Sequence, residues 1–150
     1  MIPFLDVAHR LRGRLKELFA DSHAESGLAD MEMTVLTAVV EASRAPTVSQ
    51  IGRSLGHPRQ VVQRAANALL DKGLIAAAAN PDHKRAPLLS STEAGAAIKR
   101  EADQRALLIA ESVLGDLSPA LVVQATALLE QIRRAVEAHA RERKESVSTG

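Results

Sequence analysis

Five side chains in one short stretch have the chemistry to read base edges: Arg59, Gln60, Gln63, Arg64 and Asn67. A guanidinium can pair bidentately with guanine, and a glutamine or asparagine amide with adenine, in the major groove of a duplex. Their spacing places them on the outward side of a helix over 58–72, whose inward side carries Val62, Ala66, Leu69 and Leu70. The first four lie nearest its amino end and are the best placed to meet bases. A second cluster, His83, Lys84 and Arg85, closes the turn-rich run Asn80-Pro81-Asp82-His83-Lys84-Arg85. An arginine at such a tip suits a narrow minor groove, where negative potential concentrates; paired with Asp82 instead, Arg85 would only brace the turn. A third group, Thr47, Ser49, Gln50 and Arg53, offers donors suited to phosphate oxygens. Arginine and glutamine are common on any exposed helix, so the helix face alone reads better as solvated surface. Its neighbours decide the matter.

Those neighbours form an ordered series. Thr47-Val48-Ser49-Gln50 is a capping-box pattern that opens a short helix to about 55. Gly56 suits a tight turn, Pro58 is tolerated in a first helical turn, and Gly73 suits a helix end. Two strands are expected at 74–79 and 86–91, flanking the charged tip. The first contains four consecutive alanines, poor strand formers, and is assigned only from its position between a helix stop and a turn. Pro87 places the second strand at an edge. Two short helices around a turn, followed by a hairpin, make a winged helix-turn-helix, a device for reading duplex DNA. The charge agrees: residues 47–90 hold six basic residues against two acidic ones, a net +4 within a chain whose total is +1.

The flanking elements read as helices. Residues 3–20 repeat apolar side chains at spacings of three and four, weakened locally by Gly13, and residues 21–29 read as a loop. Asp30 is expected to cap a second helix. Thr92 starts a long helix to about 114, broken by Gly115-Asp116. Ser118-Pro119 opens a last helix to about 143, followed by a polar, disordered tail at 146–150. The fold class is therefore mainly α with a small β wing: a head over about 30–91, flanked by helices over about 3–20 and 92–143.

Composition narrows the function. Phe4 and Phe19 are the only aromatic residues, which argues against readers that stack bases on aromatic platforms. With no cysteine, disulfides, thiolate zinc sites and thiol redox sensing drop out. His9, His23, His57, His83 and His139 show no tight ligand spacing, and surface or capping roles account for them better than metal. No nucleophile elbow, phosphate loop or cofactor motif is present, so no enzyme and no cofactor is expected. No apolar run approaches the ~20 residues that span a bilayer, and the amino terminus lacks a signal-peptide pattern. A cytoplasmic location without membrane association is the expectation.

From Thr47 to Gly95 the order TVSQIGRSLG, HPRQVVQRAANALLDKGLI, NPDHKRAPLLSSTEAG resembles the MarR family of winged-helix transcription regulators. That family's wing usually reads Asp-x-Arg and then, after a short strand, Leu-Thr-x-x-Gly. Arg85, Thr92 and Gly95 fall at the matching places, while His83 occupies the usual Asp position and Ser91 replaces the Leu. Pro58 stands where the family favours Ser, Thr or Asp, so a hydroxyl contact to phosphate is lost there and His57 is a candidate for part of the capping role. His83 would make the tip more cationic at low pH, because histidine titrates near neutrality. The resemblance implies a homodimer formed through the first and last two helices, usually a repressor, on a pseudo-palindromic double-stranded operator. It also implies a small-molecule effector held between head and dimer helices. Few aromatic walls are available for such a ligand; Phe4 and Phe19 suit dimer packing, and Met31 and Met33 suit gap filling. The competing class is a protein-interaction adaptor on the same fold, which would have no need for Arg59, Arg64 and Arg85 on one surface.

Overall fold

The computed structural model describes residues 2–22 and 24–148; His23 lies outside the described residues. The order is α1 (Ile2–Leu18), two single 3-10 turns at Ala20–Ser22 and Ala24–Ser26, α2 (Asp30–Val40), α3 (Val48–Leu55), α4 (Arg59–Asp71), β1 (Ile75–Ala78), β2 (Leu88–Ser91), α5 (Glu93–Leu114) and α6 (Pro119–Ser148). The chain divides into two compact units, Met1–Ile109 and Ala110–Gly150. The first contains the helix-turn-helix and the wing.

Packing of the first unit follows from the apolar faces of α2, α3, α4 and the hairpin. Val35, Leu36, Val62, Leu69 and Leu89 are its largest fully buried side chains. On α4 the inward face is Val62, Ala65, Ala66 and Leu69, with Leu70 half-buried. Alanines at 65 and 66 let neighbouring backbones approach closely, which a chain so poor in aromatics needs to fill its interior. Each such buried leucine holds ~2–5 kcal/mol against truncation to alanine.

The ends of the elements are set by short-range chemistry. At α3 the capping box forms in full: the Gln50 N–H donates to Thr47 Oγ1 at 3.3 Å, and the Thr47 N–H to Gln50 Oε1 at 2.7 Å. At α2 the cap is Ala29 rather than Asp30, which is the first helical residue. Only half a box forms there, with the Ala29 N–H donating to Glu32 Oε2 at 3.2 Å, because alanine has no side-chain acceptor to return. Helix α4 ends in a Schellman motif: Gly73 at φ +68°, its N–H on Leu70 O at 2.9 Å, and the Leu74 N–H on Leu69 O at 2.9 Å. Leu69 and Leu74 are both buried, completing the apolar contact of that motif.

The wing pairs antiparallel with Ile75 opposite Ser91 and Ala78 opposite Leu88. Alanine forms a strand here because tertiary pairing overrides propensity. Ile75 is buried, and the Leu89 N–H donates across to Pro46 O at 2.9 Å on the other side of β2. Both strands are shorter than expected, and β2 begins just after Pro87, whose nitrogen cannot donate to a ladder.

The far end of the chain also differs from expectation. Helix α6 continues to Ser148, so 146–148 are helical in backbone rather than part of a disordered tail, while 149–150 lie outside the described residues. Lys144 and Glu145, just past the expected end at 143, are good helix formers and carry the helix into this stretch. In the first unit α1 leaves Phe4, Leu5, Val7, Leu11 and Leu15 exposed. In the second, α6 leaves Leu121, Val123, Leu128, Leu129, Ile132 and Val136 exposed. Among the described residues no single helix is long and apolar enough to cross a membrane.

Candidate nucleic-acid interface

The candidate interface is built from three pieces of the first unit. On α4, Arg59, Gln60, Gln63, Arg64 and Asn67 line one open concave surface, so all five expected base-reading side chains come together. Val62, Ala65, Ala66 and Leu69 anchor the opposite face of the helix in the core and thereby fix which side faces outward. The Gln63 amide donates to Asn67 Oδ1 at 2.9 Å. The first turn of α4 carries no side-chain cap on its cap residue Pro58, whose carbonyl receives the N–H groups of Val61 at 3.0 Å and Val62 at 3.3 Å. The His57 N–H bonds back to Gly52 O at 3.0 Å and serves the turn. That turn needs Gly56 at φ +69°, and it brings the His57 carbonyl so near α3 that a Cβ on Gly52 would stand 3.0 Å from it.

On α3 the four expected phosphate donors part company. Thr47 is buried and its hydroxyl serves the cap, and Gln50 returns the second capping bond. Ser49 is half-buried and Arg53 is exposed. The cap pair therefore holds the helix, and Arg53 is the cation this element presents.

On the wing, His83, Lys84 and Arg85 are exposed in the turn between the strands. Asn80 organises that turn: its Nδ2 donates to Ala86 O at 2.9 Å, and its Oδ1 accepts the Asp82 N–H at 3.0 Å. Among the described residues Asp82 forms no ion pair with Arg85, so the guanidinium is not spent on bracing the tip.

The distribution of ion pairs is the informative electrostatic feature. Away from the interface, most of the described cations hold carboxylates, among them Lys99 with Asp103 and Glu41, Arg100 with Glu93, Arg105 with Glu25, and Arg133 and Arg134 with Glu130, whereas Arg12 and Arg44 hold none. Among the described residues Arg53, Arg59, Arg64, Lys84 and Arg85 hold none. Lys72, counted by sequence among the basic residues of the head, is different. It reaches Glu32 at 2.6 Å, and its hydrogen bond, helped by the Ala29 N–H and then by its charge, holds that carboxyl below its ordinary pKa against the opposing effect of burial. Forty positions separate the two residues, so no local pattern could have revealed this neutralisation. Lys99 is nearly buried; burial pushes its pKa down, but hydrogen bonds to Asp103 and Glu41 outweigh that and raise it.

A clamp between α4, the wing and α5 was not anticipated as such. The Thr92 hydroxyl donates to Gly73 O at 2.8 Å and accepts the Gly95 N–H at 3.2 Å, while the Thr92 N–H donates to Leu74 O at 3.1 Å. Gly95 lies so close that a Cβ there would stand 2.0 Å from Leu74 O. The Thr-x-x-Gly spacing signalled this clamp, and its physical content is that α5 starts against the carbonyls that end α4. A separate apolar groove, lined among others by Phe19, Met33, Ala38, Pro46, Ile51 and Leu55, runs between the end of α1, α2 and α3. Gln50 lines this groove as well. Among the described residues no three His, Asp or Glu side chains gather to hold a metal ion.

Comparison with known proteins gives concordant results. A family model described as MarR family matches residues 26–86. An uncharacterised protein of Mycobacterium tuberculosis (strain H37Rv) is 39% identical over 104 residues, covering 69% of this chain and 71% of its own length. Among solved structures, a mutant MarR from E. coli complexed with operator DNA superposes with a TM-score of 0.74 at 20% identity, covering 87% of this chain and 94% of that one. CouR from Rhodococcus jostii RHA1, bound to p-coumaroyl-CoA, superposes with a TM-score of 0.73 at 18% identity, covering 84% and 88%.

Proposed function

This chain belongs to the MarR family of winged-helix transcription regulators, and from that premise we propose that it binds a pseudo-palindromic double-stranded operator as a homodimer and represses transcription. The observation that carries the reading is the set of cations on the head that hold no ion pair among the described residues: Arg53, Arg59, Arg64, Lys84 and Arg85, shared between the two helices of the helix-turn-helix and the wing. Unpaired guanidinium and ammonium groups are what a polyanionic duplex neutralises on binding, with release of its condensed counterions. In this reading α4 enters the major groove with Arg59, Gln60, Gln63, Arg64 and Asn67 toward the bases, and the wing carries His83, Lys84 and Arg85 to the minor groove. Arg53, with Ser49 and the capped turn of Thr47 and Gln50, meets phosphates.

A second copy of the chain is the natural cover for the apolar side chains left exposed on α1 and on α6. Two copies related by a two-fold axis also set two reading helices one turn of DNA apart, about 34–36 Å. The apolar groove beside α2 suits a small ligand whose binding would release the operator. The superposed CouR carries p-coumaroyl-CoA, which supports a ligand-responsive reading in this fold.

The test is a mobility-shift assay with the DNA upstream of the protein's own gene, then with a genome-derived fragment library, using Arg64→Ala and Arg85→Ala beside the parent. Salt-sensitive, competitor-resistant binding that both variants weaken supports the reading. Failure with the whole library at low salt would overturn it and leave an adaptor as the better account.

A further inference from the structure

The side chains on the reading face of α4 are not equivalent, because two of them are already bonded to each other. Gln63 Nε2 donates to Asn67 Oδ1 at 2.9 Å, one helical turn away, while Arg59, Gln60 and Arg64 on the same surface have no side-chain partner among the described residues. A free glutamine amide rotates readily and can present its oxygen or its nitrogen to a base, so by itself it discriminates weakly between a donor and an acceptor. A bond from one amide hydrogen to Asn67 removes that freedom. A primary amide has two N–H groups: the one anti to the carbonyl can serve Asn67, which leaves the syn N–H and Oε1 side by side as one donor–acceptor edge. In the major groove only adenine offers the matching acceptor N7 beside the donor N6. Guanine offers two acceptors, thymine an acceptor and a methyl group, and cytosine a donor.

We propose that Gln63 reads an adenine in each operator half-site and that Asn67 is the positioning residue that locks the Gln63 amide in the orientation this base requires. The inference rests on the operator-binding reading above and deepens it from "binds DNA" to a stated base at a stated side chain. It also assigns Asn67 a task other than base contact. Asn67 sits in the carboxyl half of α4, away from the amino end that commonly approaches bases, and its oxygen is already engaged. The amide–amide geometry has a stability aspect too: such i,i+4 pairs contribute a few tenths of a kcal/mol to an exposed helix, too little for stability to be their main effect.

The experiment is selection of duplexes from a random library by the full-length parent, Gln63→Ala, Asn67→Ala and the double variant, with affinities then measured for operators changed one base pair at a time. The parent is expected to select A·T at one symmetric position per half-site and to prefer it by about 5- to 100-fold over the other pairs. Gln63→Ala should abolish the preference at that position only. Asn67→Ala should relax the same position and no other, and should have no further effect on it in the Gln63→Ala background. Asn67 is exposed, Gln63 is only half-buried, and alanine is the better helix former, so thermal melting should stay close to that of the parent. If the parent selects no sequence, the operator reading itself falls, and this inference with it. If the parent selects an operator but Gln63→Ala leaves every base preference intact, the operator reading stands and this inference is overturned. If Asn67→Ala instead weakens all sequences equally, or relaxes a different base pair, the positioning role of Asn67 is refuted.

Discussion

Gly95→Ala is the substitution whose cost follows most directly from the structure. An added Cβ would stand 2.0 Å from Leu74 O, 3.0 Å from Leu74 C and 3.1 Å from Leu36 Cδ1. Ordinary contact begins at 3.4 Å, so α5 must retreat from the Leu74 carbonyl by about 1.4 Å. Two of the three atoms are backbone and no rotamer change relieves them. The same movement stretches the bonds from Thr92 to Gly73 O and Leu74 O, each worth ~0.5–1.5 kcal/mol. Over-packing itself costs ~1–3 kcal/mol. Against this, exchanging Gly for Ala in a helix returns at most about 1 kcal/mol. The balance is a loss of roughly 2–4 kcal/mol, or a fall in Tm of roughly 5–15 °C for a chain of this size. Gly13→Ala is the control. It lies within α1, and nothing stands within 4 Å of its added Cβ, so it should raise stability by ~0.5–1 kcal/mol. Both variants and the parent would be melted by circular dichroism at one fixed protein concentration, since the proposed dimer would make Tm concentration-dependent. A Gly95→Ala protein that melts with the parent, or two glycine variants shifting the same way, would refute the argument from the clamp.

Other perturbations test the remaining parts. Thr47→Ala removes the hydroxyl that caps α3 and should cost about 1 kcal/mol in urea unfolding, with unchanged m, whereas Ser49→Ala in the same helix should cost less. Glu32 has a folded-state pKa depressed by Lys72, so its contribution is present above the ordinary carboxylate range and is lost as pH falls through the folded value. The stability gap between the parent and Glu32→Gln should therefore close as pH drops below about 4.5, and a gap that stayed constant through the acid limb would contradict the pairing. Arg53→Ala and Arg85→Ala should each reduce the slope of log affinity against log salt by about 0.9, while Arg100→Ala, whose cation is bound to Glu93, should leave the slope unchanged.

The order of the elements could be read from the chain because the signals are local. A hydroxyl three residues before Gln50 marks the start of α3; Gly56 and Gly73 mark turns where φ is positive; spacing of three and four marks the buried side of α4. Each depends on residues within one or two helical turns of each other, and sequence order places such residues together whatever the rest of the fold does. The grouping of Arg59, Gln60, Gln63, Arg64 and Asn67 on one surface followed for the same reason, since all five lie on a single helix. Local reading went astray at the start of α2, where the cap is Ala29 and the expected cap Asp30 is the first helical residue, and where good helix formers carried α6 past its expected end.

Charge balance was a different matter. Lys72 counted as a free cation of the head until folding set Glu32 beside it, and Arg85 stayed open to pairing with Asp82 until Asn80 fixed the turn of the wing. Three of the four alanines, Ala76 to Ala78, became part of a strand because β2 supplied the partners their own propensity lacks. Gly95 was legible as a motif position, but the 2.0 Å that makes it indispensable arises only when the end of α4 meets the start of α5. The sequence by itself determined which elements form, in what order, and which side chains share a helix face, because short-range hydrogen bonds and apolar periodicity act within a few residues. Only the tertiary structure decided which charges remain unpaired and how closely backbones approach, because both depend on residues far apart in the chain being brought within a few ångströms.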